Sequence, residues 1–128
     1  MAIFQSGNEA TWKAGADLSA KQHFFVVATS TEGEVDASGA AAAPLGILTN
    51  DPTSGQEARV QCGGSIAILE VDGSGTAIAI NDYLKSDANG RGVKAATGDL
   101  VGARALQAAT GLTDEIMVRP LPPGTKAP

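Results

Sequence analysis

The sequence predicts an all-β protein: a small glycine-rich β-barrel or β-sandwich of about eight or nine short strands, with extended N- and C-terminal arms. Three observations carry this. Short runs rich in β-branched and aromatic residues recur along the chain, separated by turn signals. Sixteen glycines and six prolines in 128 residues supply those turns. A strand–loop–strand unit over residues 45–60 returns, more weakly, 56 positions later, with Leu45-Gly46 echoed by Val101-Gly102, Gly55 by Gly111 and Val60 by Ile116. Such an echo suggests an internally duplicated β domain.

Taken in order, residues 1–12 read as an arm. Ile3, Phe4 and Trp12 are bulky, isolated and tied to no periodic pattern. Two readings stand for Trp12: it folds back on its own domain, or it anchors the arm on a neighbour, since large aromatics are enriched among interface anchors. Residues 13–119 form the β-rich domain. His23 to Thr29 is the strongest strand signal, followed by a hairpin-like turn over Thr31 to Glu34 and a loop over Ala37 to Ala43. Pro44 suits a strand entry, and Asn50-Asp51-Pro52 and Ser54-Gly55 mark the loop of the organising unit. Ala58, Val60 and Cys62 then alternate with Glu57, Arg59 and Gln61, the period-two pattern of a half-buried strand.

Ile66 to Val71 and Thr76 to Ile80 flank Asp72-Gly73, a hairpin signal. Tyr83-Leu84 and Val93 belong to further short strands. Leu100 to Ala109 has helical propensity, but the parallel with Leu45 to Thr49 favours a strand. Glu115 to Arg119 closes the sheet. Residues 120–128 read as a Pro-rich, polyproline-like tail, because prolines cannot continue a ladder. Pro120, Leu121 and Pro122 join Ile3, Phe4 and Trp12 as candidate subunit or partner contacts.

Of 55 hydrophobic residues 23 are alanine, and Val, Ile, Leu and Phe number 27. A large aliphatic side chain gains about 1.5–3 kcal/mol on burial and alanine far less, so the core is thin and favours completion by other subunits. A net charge of −5 and the lack of a basic patch make a nucleic-acid partner unsuitable. No apolar run reaches the ~20 residues that span a bilayer, so no membrane partner is expected, and the start lacks the features of a signal peptide.

No enzyme chemistry is legible. His23, the only histidine, has no companion at ligand spacing, and no Gly-x-Ser-x-Gly elbow exists. Cys62 sits in a strand alternation and reads as an inert buried thiol. Asp87-x-Asn89-x-Arg91-Gly92 imitates the start of a calcium loop but lacks its closing glutamate, Gly98 standing there instead. Neither a metal nor a cofactor is expected.

Four motifs in order resemble a known family. They are Ala14-Gly-Ala-Asp-Leu-Ser-Ala-Lys-Gln22, Leu45-Gly-Ile-Leu-Thr-Asn-Asp-Pro-Thr-Ser-Gly-Gln-Glu-Ala-Arg-Val60, Asp82-Tyr-Leu-Lys-Ser-Asp-Ala-Asn-Gly-Arg91 and Val101-Gly-Ala-Arg-Ala-Leu-Gln-Ala-Ala-Thr110. Together, over about residues 13 to 119, they look like the capsid cement, or head decoration, proteins of tailed bacteriophages, similar in style to lambda-type decoration proteins. The resemblance implies a non-enzymatic virion protein, made in the bacterial host cytoplasm. It would bind the major capsid protein on the outer surface of the assembled head and stabilise the shell. It also implies self-association, as a homotrimer or alternatively a dimer. The competing reading from another class is a small β-barrel ligand- or glycan-binding module, which needs an aromatic-lined cleft.

Overall fold

The computed structural model describes residues 9–63 and 65–128. The described residues contain ten strands and no helix. Strands β1 (Glu9–Ala14), β2 (Phe25–Ala28), β3 (Glu34–Ala37), β4 (Gly46–Leu48) and β5 (Glu57–Gln61) close one barrel in the order β1-β3-β2-β4-β5. Strands β6 (Ala67–Asp72), β7 (Tyr83–Ser86), β8 (Gly92–Lys94), β9 (Ala103–Ala105) and β10 (Leu112–Pro120) close a second. Starting from β6, its order is β6-β8-β7-β9-β10, the same path around the barrel.

The duplication extends to register. In each barrel the first and third strands pair in parallel, and the other four junctions are antiparallel. Ala14↔Val35 in the first barrel becomes Val71↔Gly92 in the second, both 57 positions on. Leu48↔Val60 becomes Ala105↔Val118, 57 and 58 positions on. The repeat read from sequence is therefore real, but its spacing is one to two residues longer than 56. Val60 corresponds to Val118 rather than Ile116, and Leu45 rather than Gly46 corresponds to Gly102: Leu45 N–H donates to the Val26 carbonyl and Gly102 N–H to that of Leu84.

Each barrel has an apolar interior. Ala14, Leu18, Val26, Val35, Leu48, Ala58 and Val60 fill the first. The second holds Leu69, Val71, Leu84, Ala103, Ala105, Ile116 and Val118, and it is joined by two residues of the first barrel, Phe25 and Ile47. Those two are direct partners across β2 and β4, on the opposite face from Val26 and Leu48. Both strands thus bury both faces, which explains why Phe24 to Val26 and Gly46 to Leu48 are continuously apolar instead of alternating.

Main-chain bonds add to this seam. Phe25 N–H donates to the Gly90 carbonyl (2.8 Å) and Glu70 N–H to the His23 carbonyl (2.7 Å). Phe24 lies beneath two cations, Lys21 of its own barrel at 4.8 Å and, across the seam, Arg91 of the second at 5.1 Å from the ring centre. Arg91 is held in turn by Glu70 at 2.8 Å.

Several expectations are corrected. Among the described residues there are two barrels and ten strands, not one barrel or sandwich of about eight or nine strands. The N-terminal arm does not extend to residue 12, because residues 9–12 belong to β1, which pairs with β5 through Trp12↔Ala58. Its inward positions include Ala10 and Ala14, and alanine gives a faint periodic signal. The C-terminal segment is not an extended tail. Pro120 ends β10 opposite Ala103, and the chain then doubles back. Val101 N–H donates to the Thr125 carbonyl and Ala127 N–H to that of Asp99, both at 2.9 Å. The Pro122 carbonyl accepts from Thr125, and Gly124 has a φ of +88°. The Pro-Pro-Gly stretch therefore makes a turn, after which Thr125 and Ala127 still have amides or carbonyls to pair. Nor does Asp72-Gly73 make a hairpin with residues 76–80. Asp72 Oδ1 caps the Ser74 amide (2.9 Å), and only Ile78 forms a bridge, to Ala109.

Candidate docking surface

The side chains singled out from sequence fall into three groups. Ile3 and Phe4 lie outside the described residues. Trp12 is half-buried and packs against the interior cluster of its own barrel, which is the fold-back reading. Its indole N–H is buried without an acceptor among the described residues. Pro120 is buried, Leu121 is half-buried with its N–H on the Gly102 carbonyl (2.9 Å), and Pro122 is exposed.

Groups with chemical potential are mostly occupied by the fold. The Asp87 carboxylate accepts from the amides of Asn89 (2.8 Å) and Arg91 (3.0 Å), so the calcium-like stretch is a turn closed on itself. Cys62 is half-buried, burial pushes its thiol pKa up, and its sulfur donates to the Val60 carbonyl. His23 has a φ of +71° and its carbonyl joins the seam. Among the described residues no group of three or more His, Cys, Asp or Glu side chains is placed to hold a metal ion.

Among the described residues, two shallow depressions can be compared with a ligand cleft. One, of about 460 Å³, lies over the β4–β5 loop against Asn50, Pro52 and Glu57. The other, of about 390 Å³, runs between Ala40-Ala41 and Lys85, Asp99 and Leu100, where Lys85 and Asp99 are paired at 3.0 Å. No aromatic residue lines either one, and neither has the form of a ligand or glycan cleft.

The second barrel also carries exposed apolar residues on outward-facing sheet. Ile66, Ile68 and Met117 are 55%, 38% and 40% exposed. Ile68 and Met117 are direct cross-strand partners, so this is a contiguous patch and not a scatter of single residues. Exposure of this kind suits a protein whose work is to meet other proteins. The outward-facing positions of β10 were missed at the sequence level because Glu115 to Arg119 reads simply as the last strand. The signal that identifies them is the alternation itself, with Ile116 and Val118 inward and Glu115, Met117 and Arg119 outward.

The class defined by these features is a tandem of two duplicated five-stranded barrels sharing a seam. No protein-family model and no curated protein matches the chain. Among solved structures it is similar to the N base of the head fiber protein gp8.5 of bacteriophage phi29. The TM-score is 0.69 at 14% identity, covering 99% of this chain and 100% of that one. At that identity the likeness is one of fold, and it spans the tandem from end to end. The neighbour is a phage-head protein, the kind of particle to which the sequence motifs point; the decoration family itself is not matched.

Proposed function

We propose that this protein is a non-enzymatic structural component of a bacteriophage head. It binds the outer surface of the assembled shell, bridges major capsid protein subunits and so stabilises the particle. The observation that carries this reading is the end-to-end fold likeness to the N base of a phage head fiber. The four ordered sequence motifs support the same kind of particle. Copies of the chain act together, as a trimer or alternatively a dimer, because a thin alanine-rich interior benefits from area buried between subunits. The proposed subunit or shell contacts are Ile3, Phe4, Trp12, Pro120, Leu121 and Pro122, of which Pro122 is exposed and Trp12 and Leu121 half-buried.

The test is co-sedimentation with purified heads that lack the protein. Full-length chain should bind saturably and raise the temperature at which the heads release DNA or rupture. Deleting residues 1–8, which leaves β1 whole, should weaken binding at least about tenfold, as expected when anchors worth about 2 kcal/mol are lost. Heads that ignore the full-length protein would sink the capsid reading. Equal binding by full-length and truncated chains would instead remove Ile3 and Phe4 from the interface.

A further inference from the structure

The outward side chains of β10 run acid, apolar, base: Glu115, Met117, Arg119. Like residues stand opposite them on the two flanking strands: on β6, Glu70 faces Glu115 and Ile68 faces Met117, and on β9, Arg104 faces Arg119. Like charges placed directly opposite across a ladder are unfavourable, and this face has one such pair at each end of an exposed apolar centre. Two members are partly compensated. Glu70 is paired with Arg91 at 2.8 Å, and Arg104 lies 5.0 Å over the Tyr83 ring with its Nε on the Asn81 carbonyl. Among the described residues no opposite charge pairs with either Glu115 or Arg119.

We propose that this face of β6 and β10 is where copies of this chain meet. A stripe with acid at one end, base at the other and apolar residues between is complementary to itself when a second copy is turned about its centre. Ile68 and Met117 then bury against their counterparts, and Glu115 of one copy meets Arg119 of the next. Such a self-complementary stripe makes a two-fold contact, the same patch on both copies, which is the dimer of the two assemblies proposed above. The occupant is a second copy, because charge complementarity is built into the one surface. The inference does not depend on what the assembled copies bind.

The test is sedimentation equilibrium of the full chain with charge-swap variants. All of these substitutions are at exposed positions, and circular dichroism would confirm that each variant is folded. Wild-type protein should associate reversibly. Glu115→Arg alone and Arg119→Glu alone should each weaken association by about tenfold or more, since close interfacial charge pairs couple at that level or above. The double swap should restore association, which a merely structural effect of either substitution would not do. Ile68→Ser should weaken association without any rescue by the swap. A wild-type chain that stays monomeric up to about millimolar concentration, the weakest affinity of interest, would overturn the proposal. So would a double swap that associates no better than the singles.

Discussion

Trp12 shows how a single residue carries opposing terms. Its ring contributes apolar burial to the first barrel, while its indole N–H is buried without an acceptor among the described residues. An unsatisfied buried donor costs about 1–3 kcal/mol. Trp12→Phe should therefore leave stability unchanged or raise it by about 1 kcal/mol, whereas Trp12→Ala should lose at least about 2 kcal/mol, both read from urea unfolding. Thr113 offers a second case. It sits at φ +66° in β10, beside the register shift between Leu112 and Asp114. A left-handed conformation costs a non-glycine residue about 1–2 kcal/mol, more than the ~0.5–1 kcal/mol of backbone entropy that glycine adds. Thr113→Gly should thus stabilise the fold, contrary to the usual effect of glycine in a strand, and a lowered urea midpoint would contradict the assignment. Asp99 sets a pH dependence. It accepts the Ala96 amide (2.8 Å) and pairs with Lys85, and these, the amide foremost, hold its carboxyl below the ordinary 3.8. Asp17 and Asp72 are lowered in the same direction by the hydroxyls and amides of Ser19 and Ser74. Because the folded-state values lie below the unfolded ones, this stabilisation is complete above pH of about 4 and is lost as pH falls through the folded values. Unfolding free energy should decline below pH of about 4, and less steeply in Asp99→Asn.

At the scale of the strand, Gly46 and Gly102 look equivalent in sequence and do different work. A Cβ on Gly46 would meet the main-chain oxygen of Gln61, on the neighbouring strand of its own barrel. One on Gly102 would lie 2.6 Å from the Phe25 ring and 2.9 Å from Pro44, across the seam. Gly46→Ala should cost about 1–3 kcal/mol and resist rescue by Val60→Ala, since the oxygen cannot retreat. Gly102→Ala should be at least partly relieved by Phe25→Leu, because a side chain can give way. Thermal unfolding of the four variants distinguishes the cases. These two glycines also show what the sequence reveals. The all-β class, the absence of helix over Leu100 to Ala109 and the duplication are legible, because strand runs and turn residues recur in the same order. The spacing is less so, since Gly46 and Gly102 align by identity and not by place. The conserved feature of the repeat is backbone conformation. Positive φ recurs at His23 and Asn81, Gly33 and Gly90, Ala41 and Gly98, and Gly55 and Thr113, each pair 57 or 58 residues apart. Only one pair is glycine in both copies, so residue identity hides three of the four matches. β1 was hidden for another reason, its inward alanines. The candidate surface was hidden because like-charge pairs across strands require the register, which no single strand displays.

The two barrels behave as one molecule because the interior of the second is incomplete without the first. Phe25 belongs to the first barrel by chain and to the second by packing, and is fully buried. Each barrel holds roughly 60 residues, a size at which a single core is marginal. Neither has the surplus to stay folded once the seam opens, and the main-chain bonds from Phe25 to Gly90 and from Glu70 to His23 open with it. The expected result is one cooperative transition. The chain supplies its own reporters, since its single tryptophan, Trp12, lies in the first barrel and its single tyrosine, Tyr83, in the second. Trp12 fluorescence and Tyr83 absorbance should change at the same urea concentration. Phe25→Ala removes a fully buried ring, a change that costs about 3–5 kcal/mol, and should move both curves together by that amount. A variant that shifts the tyrosine curve while the tryptophan curve stays in place would mean that the first barrel stands alone. The seam would then be a contact between independent units and not a shared core.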